Sequence, residues 1–282
     1  MDVAITGDRI LYLYGVIPKD QNPPSDTDAP VKAVLHSAVC AIVEPVCAYE
    51  FSPDRLDEKM KSIEWVAGLA HKHETVLERA MRQGPVVPAR LCTLFSNAET
   101  LRLSLAENEE RFLAALKRVQ DREEWGLKVF CCEDRLRTAA GPDDPQVRAL
   151  DAAMAKASPG QAFIIRKRRE ARLADVAANR TDAVADQTLE ALARQTADMR
   201  LRPLLSETAT GRREPMVLNV AALVAVTARE SFHSTIARQS ERFQFDGFIF
   251  EVSGPWPPYS FCDDEDGAWG ANPEELMSEE ER

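Results

Sequence analysis

Phe245-Asp246-Gly247-Phe248-Ile249-Phe250-Glu251-Val252-Ser253-Gly254-Pro255-Trp256-Pro257-Pro258-Tyr259-Ser260-Phe261 is the stretch from which the fold is read outward. Asp246-Gly247 marks a turn. The aromatic and β-branched run after it, Phe248, Ile249, Phe250 and Val252, reads as a buried strand. Beyond it Pro255, Pro257 and Pro258 remove three backbone donors, which predicts a polyproline II segment in place of a strand, with Trp256 and Tyr259 projecting from it. A stiff aromatic segment loses little conformational entropy when it docks. Gly254, Pro255, Trp256, Pro257, Pro258, Tyr259 and Phe261 are therefore the candidate docking residues, either between domains of this chain or against a partner.

Working back from that strand, Thr227 to Glu230 caps a helix carrying Phe232 and Ile236, and Met216 to Val226 is a strong apolar strand. Leu201 to Thr208 is a weaker one. A long helical tract opens at the capping box Ser158-Pro159-Gly160-Gln161 and ends near Met199. A short helix starts at Asp144-Pro145, residues 133 to 144 read as a polar connector, and Trp125 to Cys131 is a strand. The order over 125 to 252 is β-α-β-β-α-β with an extra helix in the first crossover. That is a modified ferredoxin-like arrangement with a helical insertion, its helices on one face of an antiparallel sheet.

The N-terminal part is also α+β. Ile10 to Ile17 is strand-like, residues 19 to 30 form a loop, and Ala38 to Phe51 holds a strand pair or one bent strand around Pro45. Ser52 and Pro53 open one helix through Leu56, Met60, Ile63, Ala67, Ala70 and Leu77, closed by Gly84-Pro85. Val86 to Phe95 is a strand broken by Pro88, exposed as an edge near Val86 to Leu91. Ser96 to Glu99 then caps a helix from Leu101 to Val119. The fold class is α+β in two domains, 1–121 and 122–253, with a Pro/aromatic tail and acidic extension over 254–282.

The 282 residues, 45% hydrophobic and 29% charged, suffice for two cores. No apolar run is long enough to span a bilayer, and no basic, apolar leader opens the sequence, so the expectation is a cytoplasmic protein with no membrane partner. Six cysteines without a Cys-x-x-Cys pair read as reduced thiols. The formal charge of −11 is uneven: Asp263 to Arg282 carries nine acidic residues and one basic, which leaves the rest near neutral. An acidic tail solubilises, and it repels a phosphate backbone, so nucleic acid is not expected as the main partner.

Candidate chemistry is thin. His71 and His73 point about 200° apart on a helix and cannot share a metal. Cys131 and Cys132 alternate across a strand without a histidine base beside them, and His36 and His233 are isolated. No phosphate loop, dinucleotide fingerprint, nucleophile elbow or zinc-protease signature is present. Arg166-Lys167-Arg168-Arg169 and Arg172 form the densest basic cluster. It reads first as a solvated helix face balanced by Glu170 and Asp175, and second as a landing surface for RNA or an acidic partner, including the chain's own tail. RNA binding on a ferredoxin-like sheet needs exposed strand aromatics, whereas Phe245 to Phe250 have the spacing of a core. No catalytic residue, cofactor or metal site is assigned. The alternatives are an RNA-binding ferredoxin-like protein or an enzyme with an unrecognised site.

Gly254-Pro255-Trp256-Pro257-Pro258-Tyr259-Ser260-Phe261 resembles the hallmark of the gas vesicle accessory proteins GvpL and GvpF. Leu11-Tyr12-Leu13-Tyr14-Gly15-Val16, Pro85-Val86-Val87-Pro88-Ala89-Arg90-Leu91 and Pro215 to Val224 are similar to three further stretches of that family, in the same order. The resemblance spans about residues 9 to 261. It implies a minor structural or accessory protein of gas vesicles, the hollow protein shells that confer buoyancy. Its implied partners are the shell protein GvpA and other accessory proteins during nucleation and assembly, with premature aggregation limited. It also implies a C-terminal domain of modified ferredoxin-like fold and a tail that packs between domains. The acidic extension lies beyond the matching region.

Overall fold

A computed structural model describes residues 8–25 and 30–262. The acidic extension 263–282, expected to be a solubilising tail, lies outside the described residues. The chain divides into two compact units: one comprises the chain through Glu123 together with the chain from Trp256 onward, the other Glu124–Pro255.

In the first unit, β1 (Arg9–Pro18) is the spine of a five-stranded sheet. It pairs antiparallel with β3 (Val39–Cys47), which pairs in turn with β2 (Lys32–His36). β3 covers the first of the two stretches expected as a strand pair, whereas β2 lies between the expected loop and that pair, where no element is expected, and Tyr49–Phe51 is a helical turn. Helices α1 (Pro53–Lys59) and α2 (Ile63–Met81) come next, then the two-residue strands β4 (Val87–Pro88) and β5 (Leu94–Phe95), both against the other edge of β1. Two more helices, α3 (Ala98–Glu107) and α4 (Glu109–Val119), lead out of the sheet.

Leu11 to Ile17 are all buried, so β1 is covered on both faces. Tyr12 and Tyr14 share a core with Ile17, Val76, Leu77 and Ala80. The change from even to odd numbering along β1 reflects a register shift between Leu13 and Gly15, since one extra residue turns every later side chain over. Gly15 sits where β4 crosses most closely: a Cβ there would lie 2.7 Å from the Val87 carbonyl oxygen.

The expected single helix over 53–77 is two helices. Ser62 starts a second one by accepting the Trp65 amide, and the break at Met60–Ser62 leaves Met60 and Ile63 exposed although they continue the apolar spacing. The helix expected over 101–119 is likewise two, and its cap is Asn97, in a box with Thr100, not Ser96. Val86 to Ala89 form no exposed edge. They are buried, because β4 pairs with β1 and is packed by α4 and by the helical turn Tyr259–Cys262.

The second unit opens with β6 (Arg122–Cys131), whose first two residues belong to the first unit. After it come α5 (Glu133–Ala140), α6 (Pro145–Met154), the 35-residue α7 (Pro159–Ala193), β7 (Asp198–Leu201) and a helical turn α8 (Glu207–Thr210). β8 (Met216–Ala225), α9 (Arg229–Phe243) and β9 (Phe248–Trp256) complete it. The sheet order is β7-β8-β6-β9, with β7 antiparallel to β8. Alternate residues Trp125, Leu127, Val129 and Cys131 of β6 and Leu218, Val220, Ala222 and Val224 of β8 share one core with Leu192 of α7 and Phe232 of α9. The polar connector expected at 133–144 contains α5, held by the single buried residue Leu136. The weak strand expected at Leu201–Thr208 is not there: α7 stops at Ala193, β7 takes the residues expected to end that helix, and residues 202–206 carry no regular element. Gly247, at φ +96, closes the turn into β9 beside the Cys132 carbonyl oxygen.

The largest correction falls on the segment that opened the sequence reading. β9 continues through Pro255 to Trp256, and Tyr259–Cys262 form a helical turn, α10, so a strand and a helical turn replace the expected polyproline II segment on either side of Pro257-Pro258. β9 is the last strand of its sheet, and at an edge a missing donor costs no ladder bond.

Candidate functional site

Three stretches singled out in the sequence meet on one helix of the first unit. α2 buries His73, Val76, Leu77 and Ala80, the i, i+3, i+4, i+7 face of a helix on a sheet. The consecutive residues Lys72, His73 and Glu74 each take one partner set.

His73 lies in the core at 1% exposure. Its Nε2 is 3.1 Å from the Ala89 carbonyl oxygen, which can only accept, so Nε2 carries the proton. Nδ1 is then an acceptor and takes the Tyr12 hydroxyl proton at 2.8 Å, while the Cys92 amide donates to the Tyr12 oxygen at 3.3 Å. Burial disfavours imidazolium and pulls the His73 pKa down to about 4; it pushes the Tyr12 phenol well above its ordinary range. Both groups stay neutral at physiological pH, and the pair functions as a fixed hydrogen-bonded pin across the sheet.

Lys72 leans the other way, onto Glu44 of β3. Its Nζ is 2.7 Å from Oε2 and 2.8 Å from Oε1, and the Tyr14 hydroxyl donates to Oε2 at 2.5 Å. Burial, and then the Glu44 carboxylate, raise the Tyr14 pKa. The carboxylate is nearly buried, so both partners are needed to compensate its desolvation.

Glu74 holds the segment from Tyr259 to Phe261. Tyr259 donates its hydroxyl to Glu74 Oε1 at 3.1 Å, and Arg118 Nη1 donates to the Phe261 carbonyl oxygen at 3.0 Å. Burial raises the Glu74 pKa, and the bond from Tyr259 works against that rise. Of the seven candidate docking residues, Pro257, Pro258 and Phe261 are buried, Tyr259 is half-buried, and Gly254, Pro255 and Trp256 are exposed, Trp256 at 43%. The aromatic tail is thus built into the first unit by Tyr259 and Phe261, and Trp256 is the bulky side chain at its surface.

Sequence reasoning weighed His73 only as a metal ligand and missed it as a pin. The signal available was a histidine on the apolar face of α2 in a chain with two tyrosines on one strand. The basic cluster on α7 is largely engaged: Arg169 pairs with Asp151, Arg172 with Asp144, and Lys167 with Glu170, while Arg166 stacks on Phe163. Cys131 is buried with its thiol pKa pushed up to about 11, and His233 packs edge-on against Trp125. Among the described residues, no group of three or more His, Cys, Asp or Glu could hold a metal ion, and no helix is long and apolar enough to cross a membrane.

Comparison with known proteins decides the family. The model of the gas vesicle synthesis proteins GvpL/GvpF matches residues 10–263. This chain belongs to the GvpL/GvpF family. Gas vesicle protein L of a Streptomyces species is 27% identical over 90% of this chain and 93% of its own length. Gas vesicle protein L2 of Halobacterium salinarum is 24% identical over 90% of this chain and 91% of its own. The crystal structure of GvpF from an Anabaena species superimposes with a TM-score of 0.63 at 16% identity, covering 94% of this chain and all of that one. GvpF from Microcystis aeruginosa gives 0.63 at 18% identity, over 90% and 99%. The mixed helix-and-sheet fold is that of GvpF, and the family places the chain in gas vesicle formation.

Proposed function

We propose that this chain is a non-enzymatic accessory factor that binds the shell protein GvpA, together with other accessory proteins, during nucleation and assembly. The observation that carries the reading is the family match over residues 10–263. A shell subunit must present apolar surface to gas, so before assembly it is an aggregation hazard. A partner that covers such surface needs exposed bulk on a rigid body, and no turnover chemistry. Trp256 meets that need: it is exposed, and Tyr259 and Phe261 anchor the segment that carries it. Within this reading the protein works in the cytoplasm and at the vesicle, and its second unit is a variant ferredoxin-like domain. Counted from β6, its strands stand in the order 2-3-1-4, with β7, β8 and β9 as the second, third and fourth.

Co-purification of co-expressed GvpA with the tagged chain tests the proposal, with Trp256→Ala compared against wild type. Capture of GvpA by wild type and its loss in a folded Trp256→Ala protein support shell binding through the tail. Failure of the wild type to capture GvpA, with the other accessory proteins present, refutes direct binding.

A further inference from the structure

A pocket of about 530 Å³ opens in the second unit where three helices meet. α5 supplies Arg137, α6 supplies Arg148 and Asp151, and α7 supplies Arg169 and Leu173, with Gly141 in the turn between α5 and α6. Its volume falls among ligand-binding cavities, which run from roughly 300 to 1,000 Å³. Gly141 and Leu173 are buried and form an apolar base. A Cβ on Gly141 would come within 2.9 Å of Leu173 Cδ2, so glycine lets the turn close against α7.

The charges of this lining do not balance: it holds three guanidiniums and one carboxylate. Both oxygens of Asp151 accept from Arg169, through Nε and Nη2, so that carboxylate is engaged within the wall. Arg137 bonds Glu133 at 3.0 Å, an exposed i, i+4 pair whose acidic partner is not in the lining and which contributes little. Arg148 lies in sequence between the two residues that tie α6 to α7, Asp144 to Arg172 at 2.7 Å and Asp151 to Arg169 at 2.5 Å. It joins neither pair. Among the described residues no hydrogen bond or ion pair engages its guanidinium, which carries five donors. The imbalance is not confined to the lining: from Glu133 to Asp175 there are nine basic residues against seven acidic, in a chain whose formal charge is −11.

We propose that this pocket binds the phosphate monoester group of a small molecule. A carboxylate offers two oxygens in one plane, which suits a single guanidinium fork. A phosphate monoester offers three acceptor oxygens and carries about −1.5 to −2 charges at pH 7. Guanidiniums held on three separate helices match that shape, and the excess of positive charge in the lining matches that charge. Arg148 supplies the unengaged donors, and Arg137 and Arg169 supply those that their carboxylate partners leave over. The cavity is larger than one phosphate group, so the organic body of the ligand lies over Leu173 and the turn at Gly141.

Isothermal titration of the full-length chain with phenyl phosphate and with benzoate, at neutral pH, tests the site. Phenyl phosphate binds saturably with one site per chain, and benzoate binds about ten-fold or more weakly, the scale of one lost charge-assisted bond. Arg148→Gln weakens phenyl phosphate by about ten-fold or more and melts with wild type, because its guanidinium has no protein partner to lose. Arg137→Gln, which gives up only an exposed pair, weakens it in the same direction. Arg168→Gln, on exposed α7 surface outside the lining, leaves the affinity unchanged. Absence of saturable binding, equal affinity for benzoate, or full affinity in a folded Arg148→Gln protein each overturns the proposal. So does an equal loss in Arg168→Gln, which would mean diffuse charge attraction in place of a site. The site does not depend on shell binding: a chain that binds phenyl phosphate yet captures no GvpA keeps it and loses the shell-binding reading.

Discussion

His73 gives the sharpest thermodynamic prediction. Its folded pKa is pulled to about 4 from an ordinary 6.5, because imidazolium cannot be solvated in the core. Between those values the unfolded chain binds a proton that the folded chain does not, so stability falls as pH falls from 6.5 toward 4. At 1.36 kcal/mol for each unit of difference, this one group removes about 3 kcal/mol by pH 4. Other groups also titrate there, so the measurement is a difference. Urea unfolding of wild type and His73→Gln is monitored at half-unit steps from pH 7 to 4. The glutamine keeps a donor toward Ala89 but binds no proton. Wild type loses roughly 2–3 kcal/mol more than His73→Gln over that range. Parallel curves would mean that His73 is not held neutral, and the Tyr12–His73–Ala89 pin would be refuted.

Other perturbations act on the same contacts. Tyr12→Phe strands the buried His73 Nδ1 and costs about 1–3 kcal/mol by chemical denaturation; a loss under about 0.5 kcal/mol would deny the bond. Lys72→Met leaves the buried Glu44 carboxylate with Tyr14 alone and costs on the order of 3 kcal/mol, visible as a fall in the denaturation midpoint. Gly15→Ala forces β4 away from β1 and destabilises by about 1–3 kcal/mol, with faster amide exchange at Val16 and Val87. Tyr259→Phe removes the hydroxyl bond to Glu74, and exchange at Phe261 rises while that at Leu223 stays unchanged.

Much of the scaffold is legible because its signals are local. The run from Ile10 to Ile17, the apolar run at Met216 and the Asp144 and Ser158 caps each announce an element that the structure contains. Where the reading failed, the cause differed from element to element. The apolar spacing through Met60 and Ile63 suggests one helix, but Ser62 recaps the chain and those side chains face solvent. Pro255 sits in a strand because β9 is an edge, a fact of sheet order and not of local sequence. α5 carries too little apolar surface to be seen, since Leu136 alone anchors it. The pin at His73 joins residues 61 apart: the sequence shows a histidine on an apolar helix face, but not which residue it meets. The aromatic tail is recognisable as a stiff, proline-rich segment from its composition; that Tyr259 bonds Glu74 on α2 required the structure.

The most direct test of the account is sedimentation of purified shell protein in the presence of this chain. GvpA diluted from denaturant is predicted to pellet alone. With an equimolar amount of this chain it is predicted to stay in the supernatant and to elute with it on size exclusion. With a folded Trp256→Ala chain it is predicted to pellet again. If GvpA pellets equally with and without the wild-type chain, the chain does not shield the shell subunit, and the shell-binding reading is wrong.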